Sequence, residues 1–142
     1  MSAYQSSLWS IELLPNWTAS TDGNIHTIER DEGNGALQIS VFTKKRHTIT
    51  EAELLDDSEL KTFPRHAIAK HQWGDFHGFQ VVFSADARFW RKWWLTDGNA
   101  FMFVTYNCDL ESKDRELQDM NTMLSSLKSN VEPNDEANHE QP

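Results

Sequence analysis

The amino-acid sequence predicts an α+β domain in which an antiparallel β-sheet of about six strands is flanked by helices, as an α/β/α sandwich. Short runs of β-branched and aromatic residues alternate with Gly, Asn, Asp and Pro, which is typical of strands and turns. Residues 88–108 have the pattern of an aromatic-rich hairpin, and residues 117–127 repeat apolar residues at helical spacing. These observations together predict a sheet with helices packed on its faces.

The chain of 142 residues fits one domain, which we place at residues 1–128. Residues 129–142 contain four acidic residues, no Lys or Arg and one large apolar residue, so they are predicted to form a disordered acidic tail. The single cysteine, Cys108, excludes an internal disulfide framework and is consistent with a reducing compartment.

The balance of charge restricts the partners that the protein could bind. Lys and Arg number 13 against 22 Asp and Glu, a formal charge of −9, so a phosphate backbone is repelled and no nucleic-acid partner is expected. Residues 1–7 lack the basic and apolar regions of a secretory signal, and no apolar run has the length of a membrane span. The expected location is the cytoplasm, without a membrane partner.

Four short segments near the N-terminus are predicted to form an antiparallel meander. Alternating or β-branched residues, bounded by turn residues such as Pro15-Asn16 and Gly23-Asn24, carry this prediction. The strands are expected at residues 8–13, 17–20, 25–29 and 36–42.

A helix is predicted from about residue 51 to about residue 61. Thr50 and Glu53 have the spacing of a capping box, and Ile49 can pack on Leu54 as a hydrophobic staple. Pro64 prevents continuation of the helix. Its acidic residues are expected to face solvent, so the Asp56-Asp57 pair carries no prediction of catalysis.

The central hairpin is expected to turn at Asp97-Gly98. A two-residue type I′ turn would pair Thr96 with Asn99 and would fix which side chains share a face. Trp94, Phe101 and Lys92 would then lie on one face and Trp93, Met102 and Tyr106 on the other. Because both faces are largely apolar, we expect both to be covered, by helices, a long loop or a partner.

The preceding hairpin, at residues 67–73 and 76–83, determines whether its histidines can meet. A two-residue turn at Gly74-Asp75 pairs His77 with Gln72 and places His71 on the opposite face, whereas a three-residue loop would bring His71 and His77 together. Zinc needs at least three converging ligands, so no metal site is predicted.

The closing segment is predicted to be a helix that lies on the sheet. Ser112 is the expected N-cap, and Asp114 suits the first turn. The apolar face consists of Leu117, Met120, Met123, Leu124 and Leu127.

Several short motifs follow this order of elements: Leu14-Pro15-Asn16-Trp17, the run 35–40 beginning Gly-Ala-Leu, Trp93, Thr105-Tyr106 and a closing Ser-Ser-Leu. With these motifs the chain resembles the PsbP-like fold group, which includes the Ran-binding Mog protein, bacterial DcrB-type proteins and uncharacterised bacterial families. The resemblance covers residues 8–128 and implies a central antiparallel sheet between helices. Because its members bind proteins or have no known role, it implies no catalytic residue or cofactor.

Cys108 is the one thiol of the chain, and no histidine accompanies it in a recognisable hydrolase signature. We interpret it as a half-buried cysteine at a strand end. No catalytic, cofactor-binding or metal-binding residue is predicted, and the protein is not expected to be an enzyme.

A candidate partner surface is predicted on one face of the central hairpin, because Trp and Arg are the residues enriched at binding hot spots. The simpler interpretation is that the tryptophans are core residues and the cations line the sheet edge. The candidate surface consists of Trp90, Lys92, Trp94 and Phe101.

The expected function is therefore that of a non-enzymatic binding or accessory protein from a bacterium, which acts through a protein partner as a monomer or weak homodimer. An immunity-type inhibitor of a basic toxin is one concrete version, because an acidic protein complements a basic one. The alternative is a small-molecule-binding domain or enzyme with a pocket beside the Trp-rich hairpin.

Overall fold

A computed structural model describes residues 1–44 and 48–130. Within these residues the chain forms ten strands and two α-helices, together with short 3₁₀ turns at Leu60–Thr62, Arg65–Ala67 and Leu110–Ser112. The helices are α1 (Glu51–Leu54) and α2 (Leu117–Leu124). The strands are β1 (Ser2–Gln5), β2 (Trp9–Leu13), β3 (Trp17–Asp22), β4 (Ile25–Arg30), β5 (Gly35–Thr43), β6 (Ala69–Trp73), β7 (Phe76–Ala85), β8 (Arg88–Thr96), β9 (Ala100–Asp109) and β10 (Lys128–Ser129).

The strands form two antiparallel sheets. The large sheet has seven strands in the order β3-β4-β5-β9-β8-β7-β6, and the small sheet has three in the order β1-β2-β10. The α+β class with an antiparallel sheet is confirmed, but the prediction of about six strands was too low. The first predicted strand, β2, also leaves the meander, because the chain turns at Asn16, whose φ is 74°, before β3 begins.

One face of the large sheet is buried under the small sheet and α2. Trp93 and Met102, which project from the central hairpin, belong to the same buried cluster as Trp9 of β2 and Met120 and Met123 of α2. The cover on this face therefore includes a second sheet as well as the predicted helix.

The opposite face is covered in part by residues 48–68, which we call the cover segment. Its residues Ile49, Leu54 and Leu60 form a buried cluster with Trp94 and Phe79 of the sheet. The prediction that both faces of the central hairpin are covered is thus confirmed only in part, because the cover segment, with its one turn of α-helix, covers Trp94 and leaves the rest of this face open.

The central hairpin has a different register from the predicted one. Thr96 pairs with Phe101, so the connection has four residues instead of two. The Asp97 carboxylate accepts the backbone N–H groups of Asn99 and Ala100, each at 2.9 Å, and so stabilises the longer loop. Because the register differs by two residues, every side chain keeps its predicted face.

The hairpin of β6 and β7 has the two-residue turn. Gln72 pairs with His77, so His71 lies on the other face of the sheet. The register that a shared histidine site would need is therefore absent from this hairpin.

The predicted helix of residues 51–61 is confirmed only in its first turn. The capping box of Thr50 and Glu53 is present in both directions. After Leu54 the Asp57 carboxylate accepts the N–H groups of Glu59 and Leu60 at 2.9 and 3.0 Å. This local acceptor competes with helical hydrogen bonding, so a 3₁₀ turn follows instead of further α-helix.

The closing helix begins later than predicted. Ser112 is the last residue of a 3₁₀ turn and is buried, and α2 starts after Glu116, so the assignment of Ser112 as N-cap was wrong. Residues after α2 extend the small sheet, because Ser129 pairs with Trp9 and the Asn130 N–H donates to Leu8. The predicted tail begins inside this region, and its remainder, residues 131–142, lies outside the described residues. No helix among the described residues has the length and apolarity of a membrane span.

Candidate partner-binding face

The part of the large sheet beyond the cover segment is left uncovered by the described residues. Side chains that alternate with the buried ones on β4, β5 and β9, together with Trp90 of β8, project from this area. Two large apolar residues there are exposed, Ile25 at 43% and Phe42 at 51%. We call this area the open face; it consists of Ile25, Thr27, Gln38, Ser40, Phe42, Trp90, Phe101 and Phe103.

A row of aromatic rings begins at the exposed end of the open face. Phe42 stacks on Phe101 at 6.1 Å between ring centroids, and Phe101 lies 6.4 Å from Phe103. Phe103 then lies 5.4 Å from Trp94, which is buried beneath the cover segment. The rings at the open face therefore rest on a packed aromatic support and are held in place.

The row continues beneath the cover segment and returns to the surface. Phe63 of the cover segment lies 6.3 Å from Trp94 and 5.1 Å from Phe83. Phe83 stacks at 6.3 Å on Trp90, with only 7° between the ring planes. The row thus runs from the exposed Phe42 on β5 to the half-buried Trp90 on β8.

Lys92 lies close to three rings of this row. Its Nζ is 5.0 Å from the centroid of Trp90, 5.7 Å from that of Phe83 and 6.0 Å from that of Phe103. The same ammonium group donates to the Glu59 carboxylate of the cover segment. Lys92 therefore joins the cover segment to the sheet through an ion pair and cation–π contacts, and its charge is already compensated.

The structure separates the four predicted surface residues. Trp90, Lys92 and Phe101 are half-buried and lie at the open side of the sheet, whereas Trp94 is only 1% exposed. The interpretation of the tryptophans as core residues is correct for Trp94 and Trp93. For Trp94 the reason is the cover segment, whose Phe63 packs on the indole ring.

Sequence reasoning missed Phe42 as a surface residue. A signal was present, because Leu37, Ile39 and Val41 alternate with Gln38 and Ser40, and Phe42 falls on the polar side of that alternation. One exposed phenylalanine is ordinary, but Phe42 stacks on Phe101 and so belongs to an apolar patch, which is typical of a binding surface.

The open face has an acidic rim. Asp22 and Glu29 are exposed, and strand pairing places them on the same side of the sheet as Ile25 and Thr27. The nearby cation Arg88 is bound to Asp109 at 2.9 Å and to the Asn107 side chain. A partner with basic groups around an apolar centre would complement this arrangement.

An open hollow of about 270 Å³ lies between the cover segment and the edge of the open face. Apolar and charged side chains share its lining, a mixture that suits a small amphipathic ligand. The lining residues are Lys44, Ile49, Glu53, Leu54, Asp56, Asp57 and Phe101.

Cys108 is fully buried instead of half-buried. Burial raises the pKa of its thiol, which disfavours the nucleophilic thiolate. The neighbouring Tyr106 hydroxyl donates to the Glu116 carboxylate at 2.7 Å, so it serves as no base.

The histidines lie in separate surroundings. His77 Nδ1 bonds the Glu51 carboxylate, which also pairs with Lys70 at 3.1 Å and whose pKa the His77 hydrogen bond lowers. His71 packs on Trp73 at 4.4 Å between centroids, and burial lowers its pKa. Among residues 1–44 and 48–130, no three His, Cys, Asp or Glu side chains form a group that could hold a metal ion.

Comparison with known proteins places the chain in a class of structures rather than in a sequence family. No protein-family model matches it, and no curated protein matches it. The solved structures that resemble it share the fold of an antiparallel sheet with helices at low sequence identity.

Two of these structures are a protein of Bacteroides thetaiotaomicron VPI-5482 and LpqN of Mycobacterium tuberculosis, which is described as involved in cell envelope biogenesis. The first has 12% identity and a TM-score of 0.63 over 87% of this chain, and the chain spans 46% of that protein's length. LpqN has 13% identity and a TM-score of 0.58 over 85% of this chain and 82% of its own. At such identities the likeness shows the fold alone.

Proposed function

We propose that this protein is a non-enzymatic binding or accessory protein that holds a protein partner on its open face. The observation that carries the proposal is the aromatic row that emerges at Phe42, where 51% of a phenylalanine remains exposed on a rigid aromatic support. Aromatic side chains on a preorganised surface are typical binding hot spots, because little side-chain entropy is lost when they are covered.

The chemistry of the face favours a basic partner. Asp22 and Glu29 border the apolar centre, and the whole chain has a formal charge of −9. Such a charge accelerates association with a basic protein and disfavours nucleic acid. An immunity-type inhibitor of a basic toxin in the bacterial cytoplasm is one version of the proposal. An accessory role in an envelope process, as for LpqN, is another.

We also propose that this chain belongs to the PsbP-like fold group. Its support is the shared order of sheet and helix in the sequence, together with an antiparallel sheet that has a buried cluster on each face. A fold of this kind hosts many binding functions, so function has to be tested at the face itself.

The test is affinity capture with matched variants. Immobilised wild-type protein, Phe42→Asp and Val82→Asp are each incubated with bacterial lysate, and captured proteins are quantified by mass spectrometry. Val82 is the control because it is also exposed, at 41%, but pairs with Arg91 on the other side of the sheet. We expect wild type and Val82→Asp to capture the same basic protein. The captured amount should be about tenfold or more lower with Phe42→Asp.

The captured protein is then purified and titrated calorimetrically against wild type, Phe42→Asp and Val82→Asp. Binding that Phe42→Asp weakens, and that increasing salt weakens further, supports a basic partner on the open face. Equal affinities for wild type and Phe42→Asp would contradict the proposal. They would mean that the carboxylate introduced at position 42 lies outside the surface that the partner contacts.

A second candidate function is small-molecule binding in the hollow of about 270 Å³ beside Phe101. Its mixed lining of Phe101, Ile49 and acidic residues favours amphipathic cations. A thermal-shift screen of such compounds should identify ligands whose stabilisation is lost in Phe101→Ala and kept in Phe42→Asp. A screen that finds no such ligand would contradict small-molecule binding in the hollow, and protein binding would remain as the proposed function.

A further inference from the structure

Strand β3 is an edge strand of the large sheet, and its sequence has few of the features that usually protect such an edge. It pairs with β4 on one side only, and Thr18, Ser20, Thr21 and Asp22 are exposed. Proteins usually protect such edges with Lys, Pro, bulges or a covering element, because unpaired backbone groups promote pairing with another chain. Within β3 there is no Lys or Pro, its register with β4 is continuous, and no strand among the described residues pairs with its other side.

The direction of the unpaired backbone groups follows from the β3–β4 ladder. The Asp31 N–H donates to the Asn16 carbonyl at 2.9 Å, which places Asn16 among the residues bonded to β4. Because bonding alternates along an antiparallel strand, Thr18, Ser20 and Asp22 also bond β4. The N–H and C=O groups of Ala19 and Thr21 therefore point outward.

We propose that two copies of this chain associate through β3, in an antiparallel pair whose twofold axis passes beside Ser20. Ala19 of each copy would face Thr21 of the other, so four outward groups of each chain would be bonded across the axis. Thr18 would lie opposite Asp22. This interface lies at the edge of the sheet and does not use the aromatic row of the open face, although Asp22 belongs to both the edge strand and the acidic rim.

Two features favour this register and a second copy of the chain. A register centred on Ala19 would require the Trp17 N–H to bond the second copy. That N–H already donates to the Leu14 carbonyl at 3.1 Å, so this register is disfavoured. In the Ser20 register the one charged residue of β3, Asp22, faces a threonine, so no like charges oppose each other. The strand is thus self-complementary in its backbone groups and in its side chains.

The pairing would have a consequence for the whole assembly. A twofold axis perpendicular to the sheet keeps corresponding faces on the same side. The two large sheets would become one continuous sheet, with both open faces side by side. A dimer of this form would therefore present two copies of the acidic rim and aromatic row to one side.

Salt dependence separates a second copy from a basic strand as the occupant of the edge. Two chains of charge −9 repel each other, so the dimer should strengthen as salt rises from about 0.05 M to about 0.5 M. A basic partner strand would be weakened by the same change.

The first experiment is sedimentation equilibrium of the full chain over a range of protein and salt concentrations. The wild-type mass should rise from 16.4 kDa towards twice that value with protein concentration, and more at high salt. Thr21→Pro removes one outward N–H group per chain and breaks no hydrogen bond between β3 and β4. It should therefore weaken dimerisation about tenfold or more. Gln72→Pro is the control, because Gln72 lies on the opposite edge strand, β6.

Cysteine crosslinking provides the second experiment. Ser20→Cys would bring two sulfurs together at the axis, where opposed Cα atoms of a non-hydrogen-bonded pair are about 4.5 Å apart and a disulfide can form. Thr18→Cys is exposed on the same face of the same strand but would lie about 14 Å from its counterpart. The native Cys108 is buried and does not compete.

Mild oxidation should therefore yield a covalent dimer of Ser20→Cys and little of Thr18→Cys. The proposal is overturned by a mass of 16.4 kDa under all conditions, or by equal crosslinking of the two variants. A dimer that weakens with salt, or that Thr21→Pro and Gln72→Pro weaken equally, overturns it as well.

Discussion

Glu116 is the residue whose surroundings differ most from those of an ordinary charged side chain. It is fully buried and accepts from the Tyr106 hydroxyl at 2.7 Å and the Asn34 N–H at 3.2 Å. Arg30 Nε lies 3.2 Å from the same carboxylate. These contacts join β9, the β4–β5 connection and the start of α2, because a buried carboxylate needs compensating donors.

Tyr106 provides a pH-dependent test of this network. Burial, together with the hydrogen bond to Glu116, raises the pKa of Tyr106 above its ordinary value of 10.0. In the unfolded chain the tyrosine loses its proton near that value, so the unfolded state then binds fewer protons than the folded one. The stabilisation is therefore complete below pH 10.0 and declines as pH rises above it.

We expect Tyr106→Phe to lower the free energy of unfolding at pH 8 by about 1.5 kcal/mol, because Glu116 loses one donor. The difference from wild type should shrink above pH 10.0, as measured by urea unfolding at several pH values. Tyr4→Phe is the control, because Tyr4 is the other tyrosine of the chain and bonds His26 instead. A difference that grows with pH would contradict this account.

At the scale of elements, two hairpin turns contain glycines with similar backbone angles but different surroundings. Gly23 has φ +62° with open space around it, whereas Gly74 has φ +58° and a Cβ there would lie 1.9 Å from the Leu127 carbonyl. The same carbonyl accepts the Asp75 N–H at 3.0 Å. The β6–β7 turn is therefore packed on the residues after α2. The β3–β4 turn leaves open space at Gly23 and is held by the Asn24 side chain, which donates to the Val41 carbonyl at 3.0 Å.

Gly23→Ala should cost about 1 kcal/mol of unfolding free energy, since only backbone strain is added. Gly74→Ala should cost about 3 kcal/mol or more of unfolding free energy. In addition to the same backbone strain, the new Cβ would collide with the Leu127 carbonyl, so the backbone would have to shift. Urea unfolding of the two variants measures the difference. Equal costs would show that the turn and the residues after α2 are less tightly packed than described.

Element boundaries show where sequence reasoning succeeds and where it fails. The capping box at Thr50 was predictable, because it depends on residues only three positions apart. At Gly74-Asp75 the sequence left a two-residue turn and a three-residue loop open, and the structure has the two-residue turn. The end of α1 and the loop after Thr96 were predicted wrongly. In both places an aspartate side chain, Asp57 or Asp97, bonds nearby N–H groups and replaces the regular pattern.

At the scale of the whole molecule, one sheet separates two buried clusters. Trp93 belongs to the cluster beneath α2 and Trp94 to that beneath the cover segment, although they are neighbours on β8. Because the clusters share their strands, loss of either removes support from the other. We therefore expect one cooperative unfolding transition.

Leu60→Ala and Met120→Ala test this coupling from opposite sides of the sheet. Each should cost about 3 kcal/mol through lost burial and the cavity that remains. Tryptophan fluorescence and far-UV circular dichroism should give coincident urea transitions for both variants. If Leu60→Ala produced an early fluorescence transition with the sheet signal intact, the cover segment would be a separate unit.

The sequence by itself determined the α+β class, most strand positions and the side of the sheet to which each hairpin residue points. The class and the strands follow from local sequence patterns, and even the wrong register at Thr96 preserved the faces of the hairpin because it differed by two residues. The tertiary structure decided which apolar residues are surface and which are core. Phe42 and Trp94 share one face, yet only Trp94 lies under the cover segment.

The same division explains the buried polar network and the uncovered edge. Arg30 is distant in sequence from Tyr106 and Glu116, and the three meet only through the packing of β4, β9 and the start of α2. The edge position of β3 likewise depends on the order of all seven strands. Local patterns set what each segment can form, whereas burial depends on which segments meet, and that is a property of the whole chain.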